Sequence, residues 1–289
     1  MIPTQPSRTA WRVAVRRAVH QLIDSPPVLV DPLAVPILGP ETAARLRAEP
    51  GQFETGRLSP YMRAFFSVRS RFAEDQLAAA RARGVRQYVV LGAGLDTFAY
   101  RDPTPELPLR VWEVDFPATQ AWKRERLAEA SIAEPPTVTY VPIDFEHQAL
   151  PDVLASAGFD PSAGAVFSWL GVVPYLSREV ILKTLGYVAA ATAAGGGVAF
   201  DFGIPRARLS TIQRAVFDAL AARVSAAGEP WQTFFEPDEL ARELRELGFA
   251  VAQPFSPEAI NTRYFAGRAD GLAVGVMGQL MWAGASPPV

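Results

Sequence analysis

Between Tyr88 and Asp115 the chain passes from an apolar run, Tyr88-Val89-Val90-Leu91, into a glycine turn, Gly92-Ala93-Gly94-Leu95-Asp96. A proline-bearing loop (Pro103, Pro105, Pro108) leads to a second apolar run, Val111-Trp112-Glu113-Val114-Asp115, that ends in acid. Short β-branched runs of this kind read as buried parallel strands. Strand, tight glycine turn and strand-end carboxylate form the pattern by which a doubly wound α/β sheet holds a nucleoside. The glycines admit the ligand to the backbone, and the acid accepts from ribose hydroxyls. Asp115 is the expected ribose acid, with Glu113, two residues earlier on the same face, as the next candidate. A dinucleotide site also wants a third glycine, so that a helix start can cradle pyrophosphate. Thr97 stands there instead, which favours a nucleoside cofactor without phosphate, such as S-adenosylmethionine.

Several separated motifs agree with one family. Leu91-Gly92-Ala93-Gly94-Leu95-Asp96-Thr97, Tyr100-Arg101, Glu113-Val114-Asp115-Phe116-Pro117 and Lys123 resemble the leucine carboxyl methyltransferases, a group of class I S-adenosylmethionine-dependent methyltransferases. The resemblance runs from about Val28 to the C-terminus. It implies a Rossmann-like α/β sheet of seven strands, the last antiparallel, with a helical N-terminal cap and an insertion after strand five. The expected division is a cap and lead-in helix over 1–84 and a cofactor domain over 85–289, with a lid at about 206–236. Gly92, Ala93, Gly94 and Asp96 fall in the implied cofactor loop.

Other cofactor contacts follow by register. Arg69, in Arg69-Ser70-Arg71, matches the family arginine that binds the cofactor's carboxylate, and Arg71 is the alternative if the register slips. A guanidinium suits that task because it grips a carboxylate with two parallel charge-assisted bonds; the competing reading is a surface ion pair to Glu74 or Asp75. Asp144 and Phe145 stand where the family has an Asp-Leu pair against adenine, although Asp144 could instead cap a helix. Leu170 replaces the family glutamate that meets the cofactor's ammonium, leaving that contact to backbone carbonyls near Gly92 or Leu170. Tyr175 reads as a pocket residue or as core. For a general base, His147 and Tyr175 are the candidates, and Arg263 could pair with an acidic acceptor.

The rest of the chain bounds the function. A net charge of −2, with 20% charged residues, implies no nucleic-acid field. There is no cysteine and there are two histidines, His20 and His147, so neither thiolate chemistry nor a histidine-built metal site is expected. Two uncharged stretches, Thr184 to Phe200 and Gly271 to Val289, are broken by glycine or proline and do not read as membrane spans. With no apolar signal core at the N-terminus, the expectation is a cytoplasmic enzyme. Residues 9–24 read as an amphipathic helix with Trp11, Val15, Val19 and Leu22 inward and Arg12, Arg16 and Arg17 on a solvated face. Leu209, Ile212, Val216, Leu220 and Val224 form a stripe on a later helix, read from its spacing as core packing and from the resemblance as lid.

The expected activity is methyl transfer to an oxygen, hydroxyl or carboxylate, of a small molecule; the motifs leave open its identity, the atom methylated and the oligomeric state. Two rivals are a nicotinamide-dependent oxidoreductase, which Thr97 disfavours, and a non-catalytic S-adenosylmethionine sensor, which the Leu170 departure motivates.

Overall fold

The computed structural model describes residues 7–102, 106, 108–145, 147–226, 228 and 230–289. Pro103, Pro105 and Glu146 lie outside the described residues. Seven strands form one sheet: β1 (Gln87–Leu91), β2 (Arg110–Asp115), β3 (Val138–Pro142), β4 (Ala165–Trp169), β5 (Gly196–Gly203), β6 (Val251–Phe255) and β7 (Gly278–Gly284). Their spatial order is β3-β2-β1-β4-β5-β7-β6. β7 runs antiparallel to β5 and β6, and the other pairs are parallel. This is the expected architecture.

Alternation along β1 explains how its apolar run is used. Val89 and Leu91 enter one core, with Trp112, Phe167 and helices on that face, while Tyr88 and Val90 enter a second core on the other. Both faces are covered, as parallel strands require. The first core packs α5 (Leu150–Ser156), α6 (Arg178–Ala191) and α8 (Pro237–Glu246). The second takes α3 (Ser59–Ala82), through Val68, Phe72 and Leu77, and α9 (Pro257–Tyr264), through Ile260. A third, smaller core joins α1 (Arg8–Ile23) and α2 (Pro40–Ala48) to Leu95 after the glycine turn and Leu127 of α4 (Pro117–Glu129). Many helices open on proline, α2, α4, α8 and α9 at their first residue. The missing N–H belongs there to a position with no intrahelical partner anyway.

Because β1 pairs with β2 on one side and β4 on the other, the connections leave in opposite directions and a crevice opens between their C-terminal ends. α1 packs against α3 and brings its first turns over that crevice. α7 (Thr211–Ala226), after β5, has no buried residue. Ile212 on it is 80% exposed, so its apolar stripe is not core packing. Among the described residues no helix is long and apolar enough to cross a membrane.

Candidate functional site

A cavity of about 320 Å³ occupies the crevice. Gly92, Ala93, Gly94 and Asp96 line it, with Asp115, Asp144, Phe145, Leu170, Arg69, His147 and Tyr175. The turn is held to the end of β2, since Gly92 and Ala93 both donate to the Val114 carbonyl, at 2.7 and 3.2 Å. Gly92 has φ +70°, and a Cβ there would stand 2.3 Å from Val172 Cγ2. Both conformation and space therefore require glycine. Gly94, φ +50°, faces Ala10 of α1, whose Cβ would lie 3.2 Å from a side chain there. The cap helix thus rests on the glycine turn.

Asp115 accepts from Gly94 N at 2.5 Å and from Phe116 N at 2.6 Å. Burial pushes its pKa up, against the pull of those two donors. Each oxygen keeps acceptor capacity for a hydroxyl. Arg69 is buried; its Nη1 donates to Asp201 Oδ2 at 3.0 Å and its guanidinium lies over the Phe66 ring at 4.8 Å. Gly171, φ +74°, makes room for it, for a Cβ there would be 2.8 Å from Arg69 Nη2. Asp201 also accepts from Gly171 N at 2.5 Å. Arg69 thus pairs with neither Glu74 nor Asp75, while Arg71 pairs with Asp75 on an exposed face.

Thr97, fully buried, occupies the place of the missing glycine. Its hydroxyl donates to Asp31 Oδ2 at 2.7 Å and accepts from Arg17 Nη2 at 3.0 Å and Arg101 Nε at 3.1 Å. One donor and two acceptor sites are all a hydroxyl has. Asp31, also fully buried, takes Arg17 at 2.5 Å and Arg101 at 3.2 Å. Burial works against its charge, but Arg17 and Arg101 outweigh it and hold the carboxyl below its ordinary range. A second buried set lies at the end of α1. His20 Nδ1 meets Asp24 at 2.6 Å, its Nε2 accepts from Val28 N at 2.9 Å, and Arg63 of α3 grips Asp24 at 2.7 and 3.0 Å.

Three expectations need correction. Glu113 does not line the cavity; it is a fully buried core carboxylate that accepts from Lys123 Nζ at 2.6 Å and Tyr100 Oη at 3.2 Å. The strand alternation that aims Asp115 at the ligand does not carry Glu113 there, because α4 folds Lys123 back onto it. Arg263 lies outside both cavities, on the exposed side of α9 over the Tyr264 ring at 5.2 Å. Of the α1 arginines Arg12 is exposed as expected, but Arg16 is half-buried and Arg17 is buried. Arg17 lines the crevice, and Arg12 and Arg16 line a second cavity.

That second cavity, about 770 Å³, lies between α1, α3 and α7 and is lined by the α7 stripe. Thr9, Val13, Arg69, Gly171 and Tyr175 line both cavities. Tyr175 therefore stands at a junction, whereas His147 lines only the first cavity and pairs with Asp144 at 2.9 Å. Sequence reasoning missed Asp201, Gly171, Arg17 and Asp31. Asp201 lies inside β5, two residues before its end, and its place beside Gly171 depends on β4 being the neighbouring strand. Among the described residues no group of three His, Asp or Glu could hold a metal ion.

A seven-stranded sheet of this order, with a glycine turn after β1 and an acid closing β2, defines a class I S-adenosylmethionine-dependent methyltransferase. The leucine carboxyl methyltransferase sequence profile matches residues 10–189, and the chain belongs to that family. A Bacillus subtilis (strain 168) protein named Putative S-adenosyl-L-methionine-dependent methyltransferase YktD is 29% identical over 94% of this chain and 96% of its own length. A Parafrankia sp. (strain EAN1pec) protein of the same description is 34% identical, over 58% of this chain and 51% of that protein. In fold the chain resembles a crystal structure titled as a putative methyltransferase from Thermobifida fusca YX. The TM-score is 0.55 at 18% identity, over 98% of this chain and 96% of that one.

Proposed function

We propose that this methyltransferase carries the methyl group of S-adenosylmethionine to an oxygen, hydroxyl or carboxylate, of a small molecule seated in the second cavity. The observation that carries this reading is the meeting of the two cavities at Arg69, Gly171 and Tyr175. The residues of the first cavity suit the cofactor part by part. Asp115 accepts from the ribose hydroxyls, Arg69 turns its remaining N–H groups toward the methionine carboxylate, and Asp144 and Phe145 take the adenine end. Leu170 supplies no acid for the ammonium. Of the lining carboxylates among the described residues, Asp96 is the one left, and we assign it that contact with the turn's carbonyls.

The bound cofactor supplies an already activated methyl group. The protein's work is then to align the acceptor oxygen and keep water out. Tyr175 stands where it can hydrogen-bond that oxygen; His147, at the adenine end, is left without a proton-transfer role. Functionally the chain divides into a cap and lead-in helix over 1–84 and a cofactor domain over 85–289, with 206–236 as the lid over the acceptor.

Thermal unfolding with cofactors tests the reading. S-adenosylhomocysteine at a hundred times its Kd should stabilise the protein by about 2.7 kcal/mol, whereas NAD should leave it unchanged. Stabilisation by NAD alone would return the oxidoreductase, and binding without turnover on any hydroxyl or carboxylate acceptor would return the sensor.

A further inference from the structure

The wall of the second cavity is largely apolar and rich in rings: Tyr61, Phe65 and Phe66 from α3, Phe217 from α7, and Trp231 and Phe234 after it. Phe217 stands 5.6 Å from Trp231 and 5.3 Å from Phe234, centroid to centroid. Three cations line the same chamber: half-buried Arg16 and, exposed at its rim, Arg12 one turn before it on α1 and Arg223 on α7. Among the described residues none of the three is in an ion pair, while Glu54, whose charge acts on Arg16, is taken by Arg63. Arg16 Nε is buried without a hydrogen-bond partner. Burial, joined by the charges of Arg223 and Arg12 and opposed by Glu54, lowers the Arg16 pKa. A guanidinium N–H left unpaired and buried beside an apolar space, as at Arg16, is costly unless an acceptor completes it, and the two rim arginines favour an anionic one.

We infer that the acceptor is a planar, mainly apolar organic anion. Its oxyanion is held by Arg16 with Arg12 and Arg223, and its methyl-accepting oxygen reaches the junction at Tyr175. The inference rests on the second cavity being the acceptor site. Rings favour a flat aromatic body, which they pack edge-on or offset, and guanidinium forks favour a carboxylate or similar oxyanion over a neutral polar group. Val13 lies at the junction and Arg16 one turn further along the same helix. One helix wall thus sets the spacing between the reacting oxygen and the charged handle, about 5 Å of axial rise plus the reach of the side chain.

The test titrates the protein calorimetrically, with and without S-adenosylhomocysteine, using 6-hydroxy-2-naphthoate and the uncharged 2-naphthol. The naphthoate should bind at least tenfold more tightly, by a margin that shrinks with added salt. The Arg16→Ala, Arg223→Ala double variant should lose that preference while keeping its affinity for 2-naphthol, and Arg16→Lys alone should retain part of it. Equal affinities in the unaltered protein, absent naphthoate binding, or a preference that survives in the double variant would each overturn the inference. S-adenosylhomocysteine binding is read separately in every case. Its failure in the unaltered protein removes the methyl-transfer reading, whereas normal cofactor binding with no anion preference removes only the identity of the acceptor.

Discussion

The guanidinium of Arg69 has two obligations, one to Asp201 inside the protein and one to the cavity it faces. These can be separated by mutation. Arg69→Ala should weaken S-adenosylhomocysteine at least tenfold yet leave adenosine, which has no carboxylate, nearly unchanged. It should also cost stability of about 3–5 kcal/mol, because Asp201 is left as a buried charge without its partner. Adding Asp201→Asn should recover much of that stability and none of the affinity. Urea denaturation and calorimetry on the same three proteins check both parts, and equal losses for the two ligands would mean that the fold was damaged. Asp115 was readable from sequence because strand, turn and acid lie within one local stretch. Asp201 was not, for its meaning depends on β4 and β5 being neighbours and on Gly171 leaving space beside it.

At the level of elements, the buried charges bind α1, the segment after it and the glycine turn into one unit around Asp31. Its carboxyl is held below the ordinary value of about 3.9. The stability it contributes is therefore present above the unfolded value and is lost as pH falls through the folded one. Asp31→Asn should be destabilised most at neutral pH, and the gap to the unaltered protein should close below pH ~4. Urea unfolding from pH 7 to 3 measures this, and a gap that stays constant would show that Asp31 is not charged in the fold. Strands and long helices were visible as apolar periodicities, with instructive exceptions. α3 starts at Ser59, and its first turns aim Tyr61, Phe65 and Phe66 into a cavity, where they add nothing to an apolar core stripe. β6 extends through Pro254, which an edge strand tolerates. α5 and α9, at 7 and 8 residues, are too short to show a stripe. Arg17 resembled part of a solvated face because the partners that bury it, Asp31 and Thr97, lie 14 and 80 residues away in sequence.

For the molecule as a whole, the cap is fastened by buried polar contacts at one end and by apolar packing at the other. Arg17, His20 and Asp24 hold the C-terminal half of α1 through buried ion pairs and hydrogen bonds, whereas at the other end Ala10 packs on Gly94 and Trp11 on Trp122. S-adenosylhomocysteine should therefore slow amide exchange most at residues 9–13, with residues 17–23 and β1 protected before it is added. Uniform protection along the whole helix would show that α1 opens as a rigid piece. The doubly shared Thr9 and Val13 also give turnover a direction. On the proposed reading, cofactor entry has to displace Thr9 and Val13, against which the acceptor rests, so the acceptor should settle only once the cofactor is in place. Loading should then be sequential, cofactor before acceptor with the demethylated cofactor last to leave, an order that product-inhibition kinetics would check.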